Sequence, residues 1–120
     1  MNAKMRRRSP APLSSNRVAP LFAALGDKTR LQLIARLSGD GPMPIARLAN
    51  GTRMSRQAVT KHLRVLERAG LARGSRSGRE SIWTVQTARL FEVQKYLALI
   101  SRQWDESIER LRALVETEEN

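Results

Sequence analysis

Ser55-Arg56-Gln57-Ala58-Val59-Thr60-Lys61-His62-Leu63-Arg64-Val65-Leu66-Glu67-Arg68-Ala69-Gly70-Leu71 decides the fold. Ser55 is a good N-cap, because its hydroxyl can accept from an amide of the first turn that has no partner inside the helix. Gly70 is a good stop, since glycine enters the left-handed conformation without a steric penalty. At about 100° per residue, Val59, Leu63 and Leu66 share one face, flanked by Ala58, Val65 and Ala69. Arg56, Gln57, Thr60, Lys61, Arg64 and Arg68 share the other. One side suits a core and the other carries side chains able to reach base edges and phosphates in a major groove. An ordinary surface helix with a solvated basic face has the same pattern, so the neighbouring segments must discriminate.

Upstream, the chain reads as a run of short helices. Residues 1–16 hold two prolines and a cluster of like charge, and read as a disordered basic tail, with Asn16 as a cap for the first helix. That helix is expected over about 17–25, with Val18, Leu21, Phe22 and Leu25 at helical spacing and Pro20 confined to its first turn. Gly26 ends it and Asp27 caps a second helix over about 28–38. Gly39-Asp40-Gly41-Pro42 is a loop by turn chemistry. Pro44 opens a third helix over about 44–50, which Gly51 and Thr52 close. Two short helices, the second with the basic face, form a helix-turn-helix pattern.

After Gly70 the pattern becomes extended. Ala72 to Val85 reads as a hairpin whose tip, Ser75-Arg76-Ser77-Gly78-Arg79, offers Arg76 and Arg79 to a phosphate backbone or a minor groove. Trp83 and Val85 alternate to one side and pack the strand on the core. A helix-turn-helix followed by such a wing is a winged helix. The last segment, about 87–117, is a long helix with an apolar stripe through Leu97, Ile100, Trp104, Ile108 and Leu111. A domain of this size cannot cover the whole stripe, so the expected cover is a second copy, with Val18, Leu21, Phe22 and Leu25 supplying matching surface. The fold class is therefore mainly α with a small β-hairpin wing, in the order α-α-α-α-β-β-α, as one winged helix-turn-helix domain over residues 17–117.

Charge narrows the function. The chain of 120 residues carries a formal net charge of +11. Residues 51–80 hold eight basic and two acidic side chains, whereas residues 81–120 hold five and seven. A localised basic patch is the electrostatic footprint of a nucleic-acid binder. No stretch is apolar for long enough to span a bilayer, and the basic helix lacks aromatic anchors for a membrane surface, so no membrane partner is expected. With no cysteine, thiolate metal sites and disulfides are excluded. His62 is the one histidine, set on the apolar side of its helix without an acidic neighbour in the preceding turn, which reads as a structural group rather than a ligand or catalyst. No nucleophile–base constellation is present, so the chain is read as a non-enzyme without cofactor or metal. The five aromatic residues avoid the basic helix and the wing tip, which disfavours single-strand binding by stacking.

The sequence resembles the ArsR family of bacterial winged-helix regulators over about residues 18–117. Leu25-Gly26-Asp27-Lys28-Thr29-Arg30 with Leu31 and Ile34 resembles the family's opening of its second helix. Ser55, Val59, Thr60, His62, Leu63, Leu66, Ala69, Gly70 and Leu71 resemble its recognition helix, and Gly78-Arg79 with Ile82-Trp83 its wing. The resemblance implies a homodimer joined through first and last helices, binding a double-stranded DNA operator as a repressor. With no apolar run after the basic residues of the N-terminus to make a secretory signal, a cytoplasmic location is expected. Residues 55–69 would enter the major groove and 73–80 would form the wing. Carried over by position, Ser55, Gln57, Thr60 and Lys61 face the groove; the helical wheel adds Arg56 and Arg64, and the wing adds Arg76, Gly78 and Arg79. Metal-sensing members carry Cys-x-Cys before the recognition helix or His and Asp on the last helix. Here Ile45-Ala46-Arg47-Leu48-Ala49-Asn50 has no cysteine and the last helix no histidine, while Arg102-Gln103-Trp104-Asp105 resembles a metal-free branch. An effector, small molecule or protein, is left open. The competing reading is a non-specific architectural DNA-binding protein.

Overall fold

The computed structural model describes residues 15–119; the tail expected over 1–16 lies outside them except for its last two residues. The elements are α1 (Ser15–Leu25), α2 (Lys28–Asp40), β1 (Met43–Pro44), α3 (Ile45–Asn50), α4 (Arg56–Arg68), β2 (Ala72–Ser77), β3 (Glu80–Val85) and α5 (Thr87–Glu119). Three antiparallel strands form a sheet in the order β1-β3-β2.

The helix ends follow from local chemistry. The Asp27 carboxylate accepts from the Arg30 amide at 3.0 Å and starts α2. The Ser55 hydroxyl accepts from the Ala58 amide at 3.1 Å and starts α4. At the end of α4, Gly70 adopts φ +82°. Its amide donates to the Glu67 carbonyl at 2.9 Å, and the Leu71 amide reaches the Leu66 carbonyl at 2.8 Å. This pair of bonds is the Schellman motif, which turns the chain sharply out of the helix and into β2.

Val59, Leu63 and Leu66 of α4 are fully buried, each contributing roughly 1.5–3 kcal/mol of hydrophobic stabilisation. They join Leu33, Ile34 and Leu37 of α2, Leu48 of α3, Met43 of β1 and Trp83 of β3 in one core. Val93, near the start of α5, closes it. Beyond that point α5 leaves the body, and the molecule extends 71 Å along its longest axis.

Four details differ from the sequence-based expectation. Helix α1 begins at Ser15, so Asn16 lies inside the first turn rather than capping it, and Pro20 sits in the helix interior. The extra N-terminal turn is docked from outside: Val18 is buried, and the Arg17 guanidinium grips Glu92 of α5 at 2.9 Å. Tertiary contacts thus outweigh the proline penalty. Helix α2 continues through Gly39 and stops only at Gly41, whose φ is +85°. Pro44 is not helical: it pairs with Ile82 in β1, at a sheet edge where a missing amide is tolerated. Finally, Val18 and Leu21, expected to face a second copy, are 2% exposed within the protomer itself. Helix α1 folds inward against α5, with Phe22 edge-on to Tyr96 at 6.0 Å between ring centres. Its buried stripe is therefore not available to a partner, and Phe22 and Leu25 remain as its half-buried apolar surface.

Candidate nucleic-acid interface

Helix α4 presents two faces of opposite character. Its buried face is locked in the core, and Ser55, Arg56, Gln57, Lys61 and Arg64 are exposed, with Thr60 half-buried beside them. The expected groove-facing residues therefore share one accessible surface. Ser55 already uses its oxygen as an acceptor in the cap; its hydroxyl proton is free to donate outward.

The wing completes the surface. Gly78 occupies the turn between β2 and β3 with φ +65°, the positive φ that two-residue hairpin turns require of their first central residue. Arg79 follows it at the exposed tip. In the β2–β3 register, Gly74 lies opposite Trp83 and Arg76 opposite Ser81. Directly opposed and alternate residues share a sheet face, so Arg76 is on the Trp83 side of the wing rather than paired with Arg79 around the tip.

Arg64 is held in a specific place. Its guanidinium donates to Glu67 at 2.9 Å and lies over the Trp83 ring, 5.4 Å from the ring centre. Glu67 also accepts from the Gly74 amide at 3.2 Å. The Arg64 hydrogen bond, helped by the Gly74 amide, holds the Glu67 carboxyl below the usual carboxylate range. One carboxylate thereby ties α4 to the first wing strand. Arg64 thus reaches toward the wing, not along the outer crest of α4. Sequence reasoning did not single out Glu67 or Gly74; a glycine inside a strand was the one available signal, since it often marks a close approach.

His62 lies on the inner side of α4, as expected of a structural group, but its surroundings come from elsewhere. Its Nδ1 is 3.2 Å from an Arg30 guanidinium nitrogen and 3.8 Å from the Asp27 carboxylate. Arg30 also donates to the Ala24 carbonyl at 2.6 Å. The segment Asp27 to Arg30 therefore joins the end of α1, the start of α2 and α4. The Arg30 amide is the main reason the Asp27 carboxyl sits below its ordinary range. Among the described residues, no group of three or more His, Cys, Asp or Glu side chains is placed to hold a metal ion, and no helix is long and apolar enough to cross a membrane.

Helix α5 carries the remaining surface. Leu97, Ile100, Trp104, Ile108 and Leu111 are exposed, Trp104 at 66%. Leu114 and Val115 extend the same stripe.

This architecture has close parallels. A helix-turn-helix domain family matches residues 25–74. The HTH-type transcriptional regulator NmtR of Mycobacterium tuberculosis is 37% identical over 83 residues, covering 67% of this chain and 68% of the relative. An ArsR-like transcriptional regulator from Rhodococcus sp. RHA1 superposes with a TM-score of 0.70 at 31% identity, covering 82% of this chain and 92% of that one. The chain belongs to the ArsR family of winged helix-turn-helix transcriptional regulators. It is accordingly a DNA-binding regulator of transcription and not an enzyme. The homodimeric winged helix-turn-helix DNA-binding domain of a possible ArsR-family regulator from Mycobacterium bovis superposes with a TM-score of 0.58 at 25% identity over 79% of this chain and 84% of that one.

Proposed function

We propose that this ArsR-family chain is a dimeric, sequence-specific repressor acting in the cytoplasm. Two copies pair through the exposed stripe of α5, flanked by Phe22 and Leu25 of α1. Each copy inserts α4 into one of two successive major grooves of an operator. Gln57 and Lys61, with Arg56, Thr60 and Ser55, read base edges, and Arg79 at the wing tip holds the backbone or minor groove. The observation that carries this reading is the division of α4. Val59, Leu63 and Leu66 are 0% exposed, so the helix cannot rotate, and its cationic face is presented in a fixed orientation. The homodimeric Mycobacterium bovis domain supports the pairing. An effector, whether a small molecule or a protein, would act on this dimer.

The test uses a duplex selected by the protein from a random pool, compared with its scrambled counterpart. Gln57→Ala should lose affinity for the selected duplex by about 1–3 kcal/mol while leaving the scrambled one unchanged. Arg79→Ala should weaken both alike, because a phosphate contact carries no sequence information. With about eight phosphates neutralised per dimer, log affinity should fall with log salt at a slope near −7. Equal losses on both duplexes for Gln57→Ala would refute base reading. A specific-to-scrambled ratio below about tenfold would favour an architectural role instead, since specific regulators discriminate by at least about a thousandfold.

A further inference from the structure

Between α4 and the wing lies a cleft of about 200 Å³, lined by Arg64, Gly74, Ser75, Arg76, Ser81 and Trp83. Arg64 enters from the helix, while Arg76 and Ser81, opposed in the β2–β3 register, enter from the wing. On the Trp83 side of the wing the polar side chains of this lining are the guanidinium groups of Arg64 and Arg76 and the Ser81 hydroxyl, Ser75 lying on the opposite strand face; none is an acidic acceptor. The Trp83 indole nitrogen is also the one buried side-chain polar atom without a hydrogen-bond partner among the described residues. A buried donor left unpaired costs about 1–3 kcal/mol, so it calls for an acceptor that the protein does not supply. Glu67 takes one Arg64 nitrogen from its own helix, which leaves four of the five guanidinium N–H donors.

We propose that this cleft seats one phosphate group of the DNA backbone, shared between Arg64 and Arg76 of the same protomer. The proposal rests on the DNA-binding reading above and changes the part played by Arg64, from a reader of bases to a ligand of phosphate. Two guanidinium groups facing one pocket suit a tetrahedral oxyanion, whose oxygens accept charge-assisted hydrogen bonds in forks. Glu67 and the Trp83 ring fix Arg64 before the phosphate arrives, so little side-chain freedom is lost on binding.

Because a backbone contact ignores sequence, the test uses a random-sequence duplex long enough for two successive major grooves. Affinities of the full chain, Arg64→Gln, Arg76→Gln and the double variant are measured between about 50 and 200 mM salt. A shared phosphate makes the two losses non-multiplicative: the double variant binds scarcely worse than the weaker single variant. Its salt slope shrinks by about 1.8 per dimer, one phosphate for each protomer at about 0.9. Losses that multiply, with a slope change near 3.6, would mean separate phosphates and overturn the proposal. Arg64→Lys keeps the charge and should retain most of the slope. Should Arg64→Gln fail to fold by circular dichroism, Arg76→Gln and Ser81→Ala, neither a buried residue, are compared by affinity alone, since Ser81 carries no charge to alter the slope; losses that multiply would again overturn the proposal.

A second readout tracks the indole N–H of Trp83 by nitrogen–proton correlation spectroscopy, its signal identified by elimination in Trp104→Phe. The duplex should shift this signal, and Arg76→Gln should weaken the shift. If inorganic phosphate moves the signal and duplex does not, the cleft serves a free oxyanion and the backbone assignment falls. If the unaltered chain ignores every duplex at low salt, it is the function proposed above that fails.

Discussion

Gly74→Ala tests how tightly the wing is fitted to the core. A Cβ at this position would lie 2.9 Å from both Cη2 and Cζ2 of Trp83 and 3.1 Å from Cε2. Favourable carbon–carbon contact begins near 3.5 Å, so ring and strand must separate by roughly 0.5–1 Å. The ring is the more constrained of the two, so the edge strand β2 must give way and loosen its fit. Trp83 is 2% exposed, paired with Met43 on one side and with Gly74 on the other, and covered by Arg64. Overpacking of this kind costs about 1–3 kcal/mol, offset by about 0.4–1 kcal/mol from the stiffer unfolded chain that alanine gives. The net loss should be about 1–2 kcal/mol, or roughly 4–16 °C in thermal midpoint for a domain of this size. Circular dichroism melts at one fixed protein concentration measure it. Gly39→Ala is the internal control: nothing lies within 4 Å of its added methyl, and in the last turn of α2 the change should stabilise by at most about 0.5–1 kcal/mol. A Gly74→Ala chain as stable as the unaltered one would show that the wing is not seated against Trp83 as described.

Three further outcomes are expected. Asp27, Glu67 and Glu92 all have carboxyl groups held below their ordinary range, by the Arg30 amide, the Arg64 guanidinium and the Arg17 guanidinium respectively. A depressed folded-state value adds stability that is complete above the unfolded value, near pH 4, and is lost as pH falls through the folded one. Unfolding midpoints should therefore drop below about pH 4, and Glu67→Gln should flatten part of that dependence; an identical acid profile in the variant would refute the assignment. Trp104→Glu should leave the protomer folded but shift sedimentation toward the monomer and abolish binding to a two-site operator, whereas an unaltered sedimentation coefficient would displace the interface from α5. Arg30→Ala removes donors to the Ala24 carbonyl and to His62 and should destabilise by roughly 1.5–3 kcal/mol in urea titrations, as for hydrogen bonds from a charged group; a neutral change would show that the joint between α1, α2 and α4 is not structural.

The parts of this fold legible in sequence are those encoded by strong local signals. The amphipathic split of α4, its Ser55 cap and its Gly70 stop all reappear, as does the long stripe of α5. What escaped depends on contacts between segments. Strand β1 is two residues long, too short to show alternation, and exists because β3 offers it a partner. Pro20 argued for a later start to α1, yet Val18 and the Arg17–Glu92 pair hold the turn before it. The same packing turned Val18 and Leu21 inward, since apolar spacing shows that a face is buried but not what buries it. Arg64 shares the basic face of the helical wheel, but Glu67 and Trp83 draw it sideways toward the wing. His62 lacked an acidic neighbour in the preceding turn of its own helix, and the fold brings Asp27 to it from the cap of another.

The double grip of Glu67, on Arg64 and on the Gly74 amide, has a mechanical consequence. With Trp83 wedged beneath both, α4 and the hairpin form a single stiff tool, and neither part can tilt without dragging the other. A signal reaching such a protein would do little by deforming the tool itself. In the proposed dimer it would act by altering the gap and angle between two such tools, through the α5 helices proposed to pair them, so that they no longer match the pitch of the duplex.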